Sequence, residues 1–168
     1  PANLELASTE ISLVNRLGRE YVLRNALSHL DGYELIIIDT PPSLSLLTVN
    51  ALAAADYVII PTLPQAADLR GLQLIINTID DIKQAINPQL QIMGVLITQH
   101  SDRLIHHREA LELLEGWDIN VFNTRIGRTV KAAESAGVGR PLVDYKPGNK
   151  RAIEYQELGK ELIEWLKQ

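Results

Sequence analysis

The stretch Leu35-Ile36-Ile37-Ile38-Asp39-Thr40-Pro41-Pro42-Ser43 is the first place to look for chemistry. Four apolar residues ending in a carboxylate have the form of a Walker B strand, in which an aspartate at the strand tip holds the Mg²⁺ of a bound nucleotide, often through water. Mg²⁺ takes oxygen ligands and keeps several waters, so one rigidly placed carboxylate suffices. On spacing alone, the better reading of Asp39 is a strand-end residue that bonds the next turn. The two prolines that follow fix φ and remove two N–H donors, giving a stiff arm that can carry a small shift at a phosphate outward. A glycine-rich loop followed by Lys and Ser or Thr at a helix start would complete a phosphate site. No such string occurs in the 168 residues.

A second chemistry lies in the charge distribution. The net charge is −5, yet between Arg125 and Arg151 seven cations face only Glu134 and Asp144, which makes that stretch +5 and leaves −10 elsewhere. Lysine and arginine bind a nucleic-acid backbone by releasing counterions, without reading bases. Lys131, Lys146, Lys150 and Arg151 are the candidates for nonspecific contact with double-stranded DNA. An alternative stands beside this: Arg128 serves a nucleotide, Arg140 packs locally, and the other charges are merely solvated. Only Tyr145 and Tyr155 lie near, so stacking on single strands is not expected.

Other chemistries are excluded or left without support. Cysteine is absent, which removes disulfides, thiolate metal sites and cysteine-ligated iron–sulfur clusters. His100, His106 and His107 lack a completing ligand, and adjacent histidines on a helix face different ways, so a polar surface is expected. Ser43 and Ser45 have no histidine near them in sequence, and a nucleophilic role has no basis.

The elements that must position these groups follow from periodicity. Leu35–Ile38, Tyr57–Ile60 and Gln91–Ile97 are short apolar runs without polar alternation, as strands buried on both faces of a parallel sheet read. Between them lie helical patterns over Tyr21–Leu30, Leu46–Ala54 and Asp68–Ile86. In the last, Leu72, Ile75, Ile76, Ile79, Ile82 and Ile86 recur at steps of three and four. Asp68 is expected to cap that helix and Asn87-Pro88 to stop it. Leu104–Leu114 reads as a helix, Asn120–Phe122 as a short strand, Arg151–Leu166 as a closing amphipathic helix, and Asn3–Ala7 as a possible opening strand. The expected fold is one α/β domain over residues 1–168, a parallel β-sheet with helices on both faces. In that architecture ligands sit just beyond the strands' carboxyl ends, here after Ile38, Ile60 and Ile97. No stretch reaches the roughly eighteen apolar residues of a membrane helix, and Pro1–Glu10 lacks the features of a signal peptide. A cytoplasmic protein is expected.

Tyr33–Ser43, Leu46–Leu52, Ala54-Ala55-Asp56 and Val58–Pro61 closely resemble the ParA/Soj family of partitioning ATPases, in the MinD/ParA deviant-Walker superfamily of P-loop ATPases. The resemblance runs on through Gly71-Leu72, Gly94–Thr98, Asp102-Arg103, Glu134, Gly139, Pro141, Asp144-Tyr145 and Ala152. It begins as early as Glu5-Leu6-Ala7. It implies a P-loop NTPase-like fold and an ATPase that uses ATP and Mg²⁺, forms a homodimer around nucleotide, binds DNA nonspecifically and answers to a ParB-like activator. Such a protein would be cytoplasmic and nucleoid-associated. It further implies that Asp39 is the carboxylate on the Mg²⁺ side, through water, and Thr40-Pro41-Pro42 the switch beside the γ-phosphate. Thr98-Gln99 and Ile126-Gly127-Arg128 would hold the adenine. The family commonly has proline where Gly127 stands, so the base pocket is expected to be altered.

In that family the phosphate loop lies upstream, and here it would precede Pro1. The chain is therefore expected to be the C-terminal part of such an ATPase, with the N-terminal strand and P-loop missing, and to be inactive alone. Loss of that strand should expose flanking strand edges. Two alternatives remain: a P-loop-less binding partner that dimerises or binds DNA without catalysis, and a different superfamily member such as a MinD-type or biotin-pathway enzyme. The terminal helix with Trp165, Leu158, Leu162 and Leu166 carries Glu157, Glu161 and Glu164, which spoil a membrane-facing role and favour docking on a core.

Overall fold

The structure, a computed structural model, describes residues 12–101 and 103–167; the Asn3–Ala7 strand expectation lies outside them. Two compact units are present, one of Pro1–Val58 with Ile76–Gln91 and one of Ile59–Ile75 with Ile92–Gln168.

In the first unit, helix α1 (Val22–Leu27) follows a single 3₁₀ turn, Arg19–Tyr21, so the helix expected over Tyr21–Leu30 is shorter than its pattern. Helix α2 (Leu46–Ala54) starts at Ser45, whose hydroxyl accepts the Leu47 N–H at 3.2 Å and so satisfies one orphan donor of the first turn. Buried Asn50 ties the two helices together. It accepts the Leu23 N–H at 3.1 Å and donates to the Arg19 carbonyl at 2.8 Å. Buried Asn87 donates to the carbonyls of Leu52 (3.0 Å) and Ala55 (2.8 Å), fastening the end of α2. Both bonds come from the Asn87 Nδ2, while its Oδ1 is buried with no hydrogen-bond partner among the described residues, so the desolvation of this amide is offset only on its donor side.

Leu35–Ile38 forms no strand. No described strand pairs with it, and Leu35 and Ile37 are 63% and 85% exposed. A strand needs a neighbour to satisfy its N–H and C=O groups, and without one an apolar run stays irregular.

In the second unit, β1 (Tyr57–Thr62), β2 (Gln91–His100) and β3 (Ile126–Gly127) form a sheet in the order β1-β2-β3. β2 and β3 are parallel, with Thr98 opposite Ile126. The strand expected at Asn120–Phe122 contracts to one parallel bridge, Val95 with Val121. Gly94 permits that approach: a Cβ there would lie 2.8 Å from Asn120 Nδ2 and 3.1 Å from the Phe122 ring. Met93, Leu96, Phe122, Ile126 and Leu158 make a buried cluster, against which Ile59, Leu162 and Trp165 pack. Leu158, Leu162 and Trp165 all lie on helix α7 (Lys150–Trp165) and seat it on the sheet as a docked core helix. Helix α3 (Ala66–Ala85) begins two residues before Asp68, which therefore lies in its first turn rather than capping it. Helices α4 (Ile105–Glu115), α5 (Val130–Gly137) and α6 (Leu142–Tyr145) complete the chain.

Candidate functional site

Parallel strands release their chains at one end, and there the second unit has an opening. A cavity of about 700 Å³ is lined by Leu63–Gln65 after β1, by Gln99, His100 and Ser101 at the end of β2, and by Gly127 and Arg128 at the end of β3. Gln99 has φ +52°, the one non-glycine residue in the left-handed region among those described. Such a conformation costs energy and must be held by its surroundings. Arg103, Arg125, Arg128, Lys150 and Arg151 line the cavity against the single carboxylate of Glu154. Field lines from cations around a concave wall concentrate there, which favours an anionic ligand.

The five residues expected at the base are only partly brought together. Gln99, Gly127 and Arg128 line the cavity. Thr98 and Ile126 face each other across the β2–β3 ladder, Ile126 is buried, and the Thr98 hydroxyl donates to the Thr62 carbonyl at 3.2 Å. Thr98 instead borders a smaller opening of about 300 Å³ beside the first turns of α3.

His107 differs from the expected polar surface. His107 is buried, its Nδ1 accepts the Ser101 N–H at 3.1 Å, and its ring centre lies 5.8 Å from that of His100. The Ser101 bond fixes the His107 tautomer with its proton on Nε2. Neither adjacency nor spacing signals this, because the burial of His107 comes from the packing around it and not from its sequence neighbours.

Of the proposed DNA contacts, Lys146 and Lys150 are exposed. Lys131 sits at the start of α5 and bonds Glu134 at 2.7 and 2.9 Å, which raises the Lys131 pKa and lowers that of Glu134; Tyr145 also donates to Glu134 at 3.3 Å. Arg151 is held differently, by Glu154 at 3.1 Å.

In the first unit Asp39, Thr40, Pro41 and Pro42 are all exposed, and the Ser43 N–H closes on the Pro41 carbonyl at 2.8 Å. Among the described residues no hydrogen bond or ion pair holds the Asp39 carboxylate, and no group of three His, Cys, Asp or Glu side chains could cage a metal. A lone hard oxygen donor with room around it fits Mg²⁺ held through water better than a closed protein cage. No described helix is long and apolar enough to cross a membrane.

Comparison with known proteins now bears on these features. A family described as AAA domain matches residues 1–92, more than half of the chain. The chain is 41% identical to the chromosome partitioning protein ParA of Myxococcus xanthus over 165 residues, 97% of this chain and 58% of that protein. The chain belongs to the ParA/MinD-type P-loop ATPase family. This ParA/MinD-type chain is also 43% identical, over 98% of its length, to an uncharacterized protein of Mycobacterium tuberculosis, of which it spans 52%. It thus spans little more than half the length of these curated relatives. Its fold matches the crystal structure of cobyrinic acid a,c-diamide synthase from Mycobacterium smegmatis with bound ADP and magnesium, with a TM-score of 0.83 and 36% identity. That likeness covers 100% of this chain and 62% of the other. The parallel sheet with its covering helices is therefore the P-loop NTPase-like fold.

Proposed function

We propose that this chain is the C-terminal part of a ParA-type ATPase that positions DNA or another cargo through ATP-dependent dimerisation and nonspecific DNA binding. The observation that carries the reading is the 41% identity to a chromosome partitioning protein along 97% of a chain that contains the Asp39–Ser43 segment. In this reading the cavity beside Gln99, Gly127 and Arg128 takes the nucleotide base. Asp39 would orient a Mg²⁺ through water; the ion, when bound, would offset charge on the phosphates. The exposed Thr40-Pro41-Pro42 arm would relay the phosphate state to the protein's surface. Lys131, Lys146 and Lys150 would meet phosphates of double-stranded DNA. A second copy and a ParB-like activator are the expected partners, on the nucleoid in the cytoplasm.

The 168 residues contain no phosphate-cradling loop, so ATP turnover is proposed for the complete protein only. There, Asp39→Ala should abolish Mg²⁺-dependent hydrolysis, read as phosphate release under saturating ATP. Turnover at the unsubstituted rate would sink the assignment of Asp39. The cobyrinic acid diamide synthase match favours one other reading, a synthase that couples ATP to amide formation. ATP hydrolysis stimulated by DNA in the absence of any carboxylic acid acceptor would decide for partitioning.

A further inference from the structure

Charge alone places Arg151 among DNA contacts, but its surroundings place it elsewhere. A Cβ added to Gly127 would fall 1.2 Å from Arg151 Nη1 and 2.4 Å from Cζ, so the guanidinium occupies the space a side chain would need. The Gly127 N–H donates to Glu154 Oε2 at 2.9 Å, and Arg151 Nη2 donates to Glu154 Oε1 at 3.1 Å. One carboxylate thus holds both the tip of β3 and the guanidinium that lies over it. Both side chains are mostly withdrawn from solvent, at 17% and 18% exposure. Glycine leaves room for this arrangement in two ways. Any Cβ would displace the guanidinium, and proline would also remove the N–H that Glu154 accepts.

All three residues line the cavity. The ion pair is neutral as a unit, so it contributes little to attracting phosphate; Arg103, Arg125, Arg128 and Lys150 supply that field. What the pair adds is a rigid N–H donor beside a rigid oxygen acceptor. Adenine presents the complement on one edge, a 6-amino donor next to a ring-nitrogen acceptor, whereas guanine puts an oxygen at position 6. A carboxylate facing that oxygen would be repelled, which is discrimination by an unfavourable contact as well as a favourable one. The geometry points to Arg151 and Glu154 as the residues that select adenine, Glu154 accepting from the 6-amino group and Arg151 donating to the ring nitrogen. This rests on the proposed reading that the cavity takes the base.

The test is competition against a fluorescent ATP analogue on the complete protein, using ATP, GTP, purine riboside 5′-triphosphate and inorganic tripolyphosphate. Loss of the 6-amino group should weaken binding to the unsubstituted protein by about tenfold, as expected for one hydrogen bond to a charged acceptor. Glu154→Gln, which can both donate and accept, should lower the preference for ATP over GTP by about fivefold or more. Arg151→Lys, which keeps the charge and loses the fork, should lower affinity for all three nucleosides while leaving tripolyphosphate binding unchanged. If purine riboside triphosphate binds the unsubstituted protein as well as ATP does, the assignment is overturned without recourse to any variant. Equal weakening of ATP and GTP in Glu154→Gln also overturns it. So does a loss of DNA affinity in Arg151→Lys with nucleoside binding intact, which would return that residue to the nucleic-acid surface. If tripolyphosphate matches ATP, the base reading of the cavity itself fails; if ATP wins and the variants keep its selectivity, only the roles of Arg151 and Glu154 fail.

Discussion

Leu35-Ile36-Ile37-Ile38 and Gly94-Val95-Leu96-Ile97 are alike in apolar content and in lacking polar alternation, yet their fates are opposite. Ile97 and Val95 are fully buried within β2, which has β1 on one side and β3 on the other. Ile37 is 85% exposed in a segment with no ladder among the described residues. Sequence pattern sets how readily a segment becomes a strand; neighbours decide whether it does, because the ladder and the packed faces both come from outside the segment. The same contrast separates the two candidate sites. The cavity at the ends of β1, β2 and β3 is walled by elements that hold one another, whereas Asp39 and the proline arm stand in the open.

The largest effect should come from testing that contrast directly. In the 168-residue chain, Ile97→Ala should cost about 2–4 kcal/mol in urea denaturation, from lost burial plus a cavity that the sheet cannot close. Ile37→Ala should cost no more than about 0.5 kcal/mol, as at any exposed position. Ile37→Lys should reduce concentration-dependent association in sedimentation, since it places a charge on an open apolar edge. Equal costs for the two alanine variants would mean that Leu35–Ile38 is packed in solution, and the comparison would fail.

Much of the packed region could be read from the residues. The unbroken run Gln91–Ile97 announces β2, and the three-and-four spacing from Leu72 to Ile82 announces α3. The start of α3 was less legible: Ala66 and Ala67 are good helix formers, so the helix takes them in and leaves Asp68 in its first turn. The cavity was legible through Gln99, Gly127 and Arg128, which a resemblance could map. Its other wall was not. An Arg and a Glu three apart on a helix usually form a solvated pair, and only the fold brings this one onto Gly127. His107 was hidden for the same reason, since its burial depends on the Ser101 amide that it accepts.

A pair of glycines sharpens the comparison with effects of opposite sign. Gly94→Ala forces a methyl against Asn120 and Phe122, and should cost about 1–3 kcal/mol through overpacking. Gly71 lies inside α3 with nothing within 4 Å of an added Cβ. Gly71→Ala should therefore stabilise, by up to about 1 kcal/mol, through helix propensity. Thermal melts of the two variants beside the parent chain read both signs at once. Destabilisation by Gly71→Ala would show that its surroundings are closed in solution.

The smallest effect is acid-dependent and belongs to the packed region alone. Glu161 on α7 accepts the Asn123 N–H at 2.7 Å and the Thr124 N–H at 2.9 Å, anchoring the segment that leads into β3. Burial pulls its pKa upward, but the bonds from Thr124 and Asn123 together outweigh burial and hold it below the ordinary value of 4.5. A carboxyl lowered in the folded state binds its proton more readily when unfolded. Its stabilisation is therefore complete well above pH 4.5 and is lost as the pH falls through the lower, folded value. Glu161→Gln should cost about 1 kcal/mol at neutral pH, a modest figure because water screens part of the site. In acid the variant and the parent should converge, as denaturation midpoints followed down through pH 4 would report. A gap that persists below pH 3 would assign the loss to packing rather than to the charged bonds, and would remove acid sensitivity from this side of the comparison.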